Sequence, residues 1–125
     1  MRNELLIQID MLEQLDKLLS VVESRAAGVQ SFDALARSDA GMMKLDAICM
    51  NLITIGEVVK GLDKVSNGML LPKYSVINWH GVMRMRDKIA HHYFEIDVDV
   101  IQRTVEDDIP QLHAVIRQML GDIRS

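Results

Sequence analysis

The sequence has little of what very small proteins use to stay folded without a large core. Cys49 is the one cysteine among 125 residues, which excludes a disulfide framework and a cysteine metal cluster. Aromatic residues make up 4% of the chain and there are two prolines, whereas Leu, Ile, Val and Met are abundant. This composition favours helices over a sheet. A chain of this length can bury its own core, so we expect one domain over residues 1–125, with Cys49 as a small buried hydrophobe.

Long apolar runs and a strong positive charge are also missing. No stretch approaches the ~20 apolar residues that a membrane-spanning helix needs, and the first residues do not have the pattern of a signal peptide. We therefore expect a cytoplasmic protein without membrane contact. The formal net charge of −4 argues against non-specific coating of nucleic acid, so any contact with RNA must be local.

Apolar residues recur at three- and four-residue intervals along most of the chain, which is typical of amphipathic helices. The pattern predicts an all-α fold, a bundle of four main antiparallel helices with a short extra helix. The main helices are predicted at residues 3–24, 39–64, 79–91 and 97–120, and the short one at 32–37. Gly28 and Gly121 are predicted to end helices, and Ser31, Asn78 and Asp97 to cap the starts of others.

Two residues inside predicted helices have structural consequences. Gly56 lies within the long second main helix, where glycine costs roughly 1 kcal/mol relative to alanine. A close contact with another helix would offset that cost. Pro110 lies within the last helix and predicts a distortion about one turn upstream of it.

The chemically richest segment is residues 86–93, which holds Arg86, His91, His92 and Tyr93. Arginine can bind a phosphate with several donors, and histidine changes charge near neutral pH, which suits acid–base chemistry on a phosphodiester. On a straight helix, however, Arg86 and His91 lie about 140° apart. Either the helix ends or distorts near His91, or two copies of the chain assemble the site. A C2 dimer would supply two histidines, an acid and a base.

Three segments, taken in order, resemble the HepT-like branch of the HEPN superfamily. Residues 86–94 read Arg-Asp-Lys-Ile-Ala-His-His-Tyr-Phe, similar to the family pattern of Arg, a polar residue, three residues, His, any residue, Tyr, Phe. Residues 51–57 resemble the family's Asn-Leu-x-x-Ile-Gly-Glu segment, and residues 106–112 its acidic Asp-Ile/Leu-Pro-x-Leu segment. The resemblance covers residues 39–119.

The resemblance implies an HEPN-like fold and a metal-independent endoribonuclease that needs no cofactor. It implies the toxin of a toxin–antitoxin pair, acting on RNA as a homodimer or a dimer of dimers. The implied partner is an MntA-type nucleotidyltransferase antitoxin that silences the toxin by adding AMP to the motif tyrosine. Transferred residue by residue, His91 would be general acid or base, Arg86 would stabilise charge on the phosphoryl oxygens, and Tyr93 would be the AMPylation target.

The resemblance also assigns supporting and reserve positions. The supporting residues are Asp87, Tyr93, Glu57 and Asn51, and the reserve candidates are Arg84 for the arginine and His92 for the histidine. Asp87 takes the polar position and would orient Arg86 or His91. Glu57 and Asn51 have two interpretations: an ordinary structural role, or a role in orienting Arg86.

Two other functions are compatible with the same residues. One is a non-catalytic HEPN partner, a nucleotide-binding subunit of a nucleotidyltransferase complex, which the acidic net charge favours. The other is a helical dimer with a structural role alone. Outside the motif, we expect His80 and His113 to be ordinary surface or boundary histidines and Trp79 to be a packing residue. Seven of the methionines are predicted to fill the core or a dimer interface: Met42, Met43, Met50, Met69, Met83, Met85 and Met119.

Overall fold

The computed structural model of the protein describes residues 2–91, 95 and 97–125, and for residues 2 and 91 it describes the backbone alone. The helices are α1 (Arg2–Ala26), α2 (Phe32–Leu35), α3 (Asp39–Val65), α4 (Trp79–His91), α5 (Val98–Arg103) and α6 (Ile109–Arg124). A 3₁₀ turn (Leu71–Tyr74) precedes α4, and a π-helical turn (Thr104–Asp108) joins α5 to α6. No strand occurs in these residues, so the predicted all-α fold is confirmed.

Side-chain caps set the starts of several helices where the sequence predicts them. The Ser31 hydroxyl accepts a hydrogen bond from the backbone N–H of Ala34, and Asn78 Oδ1 accepts one from Gly81. The Asp97 carboxylate accepts one from the N–H of Asp99. Each cap satisfies a backbone donor that has no partner within the helix. The cap at Asn78 is the one that matters for function, because it begins α4.

The last helical segment differs from the prediction at its end. Gly121 does not terminate it, and α6 continues to Arg124. The extra turn is held because Ile123 packs against the core and Arg124 pairs with Glu13 of α1 at 2.6 Å. The predicted distortion upstream of Pro110 is present as the π-helical turn, since proline lacks the N–H that would continue the α-helical ladder.

The long helices are antiparallel, as three contacts show. A Cβ on Gly61, late in α3, would lie 2.8 Å from Met11, early in α1. Between α1 and α6, Glu13 pairs with Arg124 and Asp16 pairs with Arg117. The later residue of α1 thus pairs with the earlier residue of α6, so these two helices run in opposite directions. α3 and α6 therefore flank α1, and α4 packs mainly on α3.

The core consists of aliphatic side chains from every long helix, as the composition predicts. Cys49 is buried among them, and burial raises the pKa of its thiol to about 11. Trp79 is buried and donates from its indole N–H to the carbonyl of Tyr74 at 2.9 Å, which confirms the packing role. Of the methionines, Met119 is fully in the core; Met42, Met83 and Met85 pack at its edge; and Met43, Met50 and Met69 are exposed. None of the helices in the described ranges is both long enough and apolar enough to cross a bilayer.

His113 is not the surface or boundary residue that the sequence suggests; it is 4% exposed. Its Nδ1 lies 2.5 Å from Glu23 Oε1 and its Nε2 lies 2.6 Å from Asp16 Oδ1, so two carboxylates of α1 enclose one imidazole of α6. Arg117 adds a third contact at 3.2 Å from Asp16. The partners lie 90 and 97 positions away in the sequence, and local patterning carries no signal of them.

The α1–α6 contact predicts how stability depends on pH. The hydrogen bond from His113, followed by the contact with Arg117, holds the pKa of Asp16 below its ordinary value of 3.8. A carboxyl group whose pKa is lower in the folded state stabilises the fold above its unfolded pKa, and this contribution is lost as pH falls through the folded value. We therefore expect acid to lower the free energy of unfolding of the wild type more steeply than that of Asp16→Asn.

Urea unfolding at a series of pH values from neutral to strongly acidic measures this difference. Asp10→Asn is the matched control, because Asp10 is exposed on the same helix and contacts Gln14 of that helix. Its acid dependence should follow the wild type. Parallel pH profiles for wild type and Asp16→Asn would contradict the assigned role of the carboxylate.

Candidate functional site

α4 presents the motif arginine on the side that faces α3. The Asn78 cap starts the helix, and Ile89 anchors it by inserting into the core. Arg86 lies three residues before Ile89 and is one-third exposed, with its side chain directed along the surface of α3. The helix continues through His91, so it does not end between the two motif residues.

Gly56 is the point of closest approach between α3 and α4, as its position in the sequence predicts. A Cβ at this residue would lie 2.7 Å from Arg86 Cβ and 3.1 Å from the carbonyl oxygen of Val82. Real Cβ atoms do not come that close to another side chain or to backbone. The absence of a side chain at Gly56 therefore lets the aliphatic stem of Arg86 lie directly against α3.

Two carboxylates hold the head of Arg86. Its Nε forms an ion pair with Glu57 Oε1, and its Nη1 donates a hydrogen bond to Asp87 Oδ1 at 2.9 Å. The hydrogen bond to Asp87 and the nearby charge of Glu57 raise the pKa of Arg86 above its ordinary value. The guanidinium is therefore cationic throughout the pH range of the folded protein. Its Nη2 is the edge that neither of these carboxylates engages.

The structure brings together only part of the predicted set. Glu57 and Asp87 both contact Arg86. The two interpretations of Glu57 therefore coincide, because its ion pair with the next helix is also the contact that orients the motif arginine. Asn51 does not reach Arg86; its side-chain oxygen accepts from Arg25 of α1. Local sequence contains no signal of that contact, because Arg25 comes from a different helix.

The other predicted residues are placed differently. Arg84 lies about 200° around α4 from Arg86 and faces away from Glu57. The side chain of His91, and His92 and Tyr93 entirely, are outside the described residues, so their roles stay predictions.

Two surface features lie near the motif; Met43 and Met50 were predicted to fill the core or a dimer interface, and the groove was not predicted. Met43 and Met50 are 73% and 60% exposed, and with Glu57 they are spaced by seven residues along one face of α3. On the opposite side of α4, a groove separates this helix from the π-helical turn and α6, with Arg84 and Lys88 on its rim. The i,i+4 spacing of these two cations was the available signal.

The Gly56 contact predicts opposite effects for two glycine-to-alanine substitutions. In Gly56→Ala the new methyl group meets Arg86 and the backbone of α4, and such overpacking costs about 1–3 kcal/mol. We expect this cost to exceed the ~1 kcal/mol that alanine gains over glycine in a helix, so the free energy of unfolding falls. In Gly121→Ala, also helical, the new methyl group has no atom within 4 Å, and stability should rise. Urea unfolding compares them; equal effects of the two substitutions would show that α3 and α4 are not in close contact.

Comparison with known proteins finds relatives whose names refer to ribonucleases. A protein provisionally named as an RNase from Methanocaldococcus jannaschii is 35% identical over 80 residues, which cover 61% of this chain and 63% of the relative. A second provisionally named RNase, from Caldanaerobacter subterraneus subsp. tengcongensis, is 34% identical over 74 residues, covering 59% and 62% of the two chains. A protein of Thermococcus cleftensis named as a probable ribonuclease HepT is 38% identical over 66 residues, covering 53% and 56%.

Each of these matches therefore spans less than two thirds of the relative's own length. No solved structure matches the chain. The model of one family, described as ribonuclease HepT-like, matches residues 11–119, which include α3, α4 and most of α6. The chain belongs to the ribonuclease HepT-like family.

Proposed function

We propose that this protein is a metal-independent endoribonuclease, the toxin of a cytoplasmic toxin–antitoxin pair. The observation that carries the proposal is the placement of Arg86, which Gly56, Glu57 and Asp87 hold at the surface five residues before His91. Family membership and the ribonuclease names of the relatives support the same reaction class.

The chemistry follows from the two side-chain types. The imidazole of His91 takes the proton of the RNA 2′-hydroxyl, and the 2′-oxygen attacks the adjacent phosphorus. The bond to the 5′-oxygen breaks, a second imidazole protonates that oxygen, and the first product ends in a 2′,3′-cyclic phosphate. Arg86 stabilises the charge that develops on the equatorial phosphoryl oxygens through Nη2, with its other nitrogens anchored on Glu57 and Asp87.

A second copy of the chain supplies the second imidazole in this proposal. The exposed face of α3 that carries Met43 and Met50 leads to Glu57, beside Arg86. Isolated exposed apolar residues are ordinary, but two methionines aligned with the candidate site suit a contact between protomers. A two-fold dimer through this face, alone or within a dimer of dimers, would bring both motifs to one cleft.

Silencing would proceed through Tyr93. A partner nucleotidyltransferase of the MntA type would transfer AMP from ATP to the phenol oxygen, with release of pyrophosphate. The added phosphate and adenosine would occupy the cleft and place negative charge where the RNA phosphate must bind.

A second candidate function is supported by the same two carboxylates. Glu57 and Asp87 more than neutralise the charge of Arg86, which weakens its attraction for a phosphate. This favours a non-catalytic HEPN partner within a nucleotidyltransferase complex. Purified wild-type protein that binds the nucleotidyltransferase but does not cleave RNA, with Tyr93 unmodified, would establish this alternative.

Substitution of the motif residues tests the nuclease. We expect Arg86→Ala and His91→Ala each to lower the rate of RNA cleavage in the presence of a chelator by about 10²–10³-fold or more, because each removes a group that acts in the transition state. Arg86→Lys should recover little activity, since an ammonium cannot satisfy two carboxylates and a phosphate with the geometry of a guanidinium.

Arg37→Ala is the matched control, because Arg37 is exposed and pairs only with Asp33 on its own short segment. Its cleavage rate should equal that of the wild type. His92→Ala tests the reserve histidine, and loss of activity there with retention in His91→Ala would reassign the imidazole. Full activity of both Arg86→Ala and His91→Ala would falsify the proposed site.

Regulation is tested by co-expression with a nucleotidyltransferase of this class. We expect intact mass spectrometry to show additions of AMP, peptide mapping to place them on Tyr93, and the modified protein to lose cleavage activity. Tyr93→Phe should accept no AMP while keeping its fold. The other tyrosine, Tyr74, is the control: its hydroxyl donates to Asp122 at 2.6 Å, and burial and that carboxylate raise its pKa to about 12, so it should stay unmodified.

A further inference from the structure

A groove of about 880 Å³ lies on the side of α4 that faces away from Arg86. One wall is α4 and the other is formed by the π-helical turn and the start of α6. Because α4 packs mainly on α3, a gap remains between this side of α4 and the described part of α6. A volume of this size is typical of small-molecule sites and accommodates a nucleotide.

The α4 wall carries two cations at a spacing that suits a phosphate backbone. Arg84 and Lys88 are four residues apart, so their side chains lie on one face of the helix, one turn from each other. Both are exposed, and neither forms an ion pair with another residue of the described chain. In a protein of net charge −4, this pair is a local site for anionic ligands.

The floor and the opposite wall have a different character. Val82, Met85 and Leu112 make the floor apolar, which suits the face of a nucleobase. Asp108 and Gln111 lie on the far wall and are exposed. Asp108 makes no capping hydrogen bond to α6 and is exposed at the edge of the groove.

The groove is continuous with the candidate nuclease site through one residue. Asp87 lines the groove and also accepts the hydrogen bond from Nη1 of Arg86. A strand of RNA bound at Arg86 can therefore pass over Asp87 and enter the groove without leaving the surface of α4.

We infer that this groove binds a nucleotide of single-stranded RNA flanking the bond that Arg86 and His91 act on. Arg84 and Lys88 contact the backbone phosphates, the apolar floor receives the base, and Asp108 and Gln111 hydrogen-bond its edge. The inference rests on the proposed function for its biological setting, but binding is measured independently of cleavage. Single-stranded bases are read in this way, on an apolar surface with their hydrogen-bonding edges exposed.

The carboxylate of Asp108 gives the groove a base preference. An aspartate accepts hydrogen bonds from the exocyclic amino group of cytosine, whereas uracil presents a carbonyl oxygen at the same position. Oligocytidylate should therefore bind more tightly than oligouridylate of the same length.

The test uses short single-stranded RNA with 2′-O-methyl riboses, which cannot be cleaved by attack of a 2′-hydroxyl, and measures binding by fluorescence anisotropy. The double substitution Arg84→Ala/Lys88→Ala should weaken binding about tenfold, and the dependence of log affinity on log salt should become shallower by about 1.4, as expected for two lost phosphate contacts. Gln111→Trp should also weaken binding, because the indole fills the groove from an exposed position.

The chain supplies matched controls for both changes. Lys60→Ala/Lys64→Ala removes two exposed cations with the same spacing on α3, and Gln118→Trp places the same indole on α6 outside the groove lining. Both controls should bind RNA as the wild type does, and circular dichroism checks that all variants are folded. In cleavage assays Gln111→Trp and the single substitution Lys88→Ala, which keeps the reserve arginine Arg84, should raise KM and leave kcat within about twofold.

The possible outcomes separate this inference from the proposed nuclease. Wild type that binds the oligomer through the groove but cleaves no RNA would overturn the nuclease and uphold the groove. Cleavage by wild type with unchanged binding in the groove variants would overturn the groove alone. If the wild type does not bind the oligomer, the groove is not an RNA site. The same conclusion follows if the groove variants change the mass of the assembly but not the affinity for RNA.

The base preference has its own readout. Asp108→Asn should reduce the ratio of oligocytidylate to oligouridylate affinity, because an amide presents a donor as well as an acceptor. Equal affinity of the wild type for the two oligomers would overturn the assignment of Asp108.

Discussion

The contact between α3 and α4 at Gly56 is the constraint on which the arrangement around Arg86 depends. Arginine has several rotatable bonds, and ordering such a side chain costs up to about 2 kcal/mol of conformational entropy. Here the stem is held against α3 and the head is held by Glu57 and Asp87. That cost is met during folding, so a phosphate that binds to the free edge of the guanidinium meets a group already in position.

The same contact determines what the rest of α4 can do. Because α4 packs mainly on one neighbour, its remaining surface is exposed, and the two sides of the helix have different chemistry. One side presents Arg86 beside two carboxylates, and the other presents Arg84 and Lys88 above an apolar groove. An acidic protein can thus concentrate positive charge on one helix, which is compatible with the local contact to RNA that we propose.

The parts of the structure that were predicted from the sequence are those that depend on neighbouring residues. The caps at Ser31, Asn78 and Asp97 act within one turn, and the distortion before Pro110 follows from a missing N–H. Gly56 was identified because glycine inside a helix has a known cost that requires compensation.

The errors concern residues whose partners are distant in the sequence. His113 was predicted to be an ordinary surface or boundary histidine, yet carboxylates 90 and 97 residues away enclose it. Gly121 was predicted to end the last helix. Contacts with α1 and with the core instead stabilise a further turn beyond it. For the candidate site, sequence predicted the Arg86–Glu57 pairing as one of two interpretations but not the groove, because the gap between α4 and α6 is a property of packing.

The charged contacts between α1 and α6 have a consequence for biosynthesis. Glu13, Asp16 and Glu23 pair with residues of α6, which the ribosome makes about a hundred residues later. Until α6 emerges, the side of α1 that contacts it stays uncovered. Closing the long loop between α1 and α6 is slow compared with forming the helices themselves. The bundle therefore stays unfinished in the nascent chain until α6 has been made.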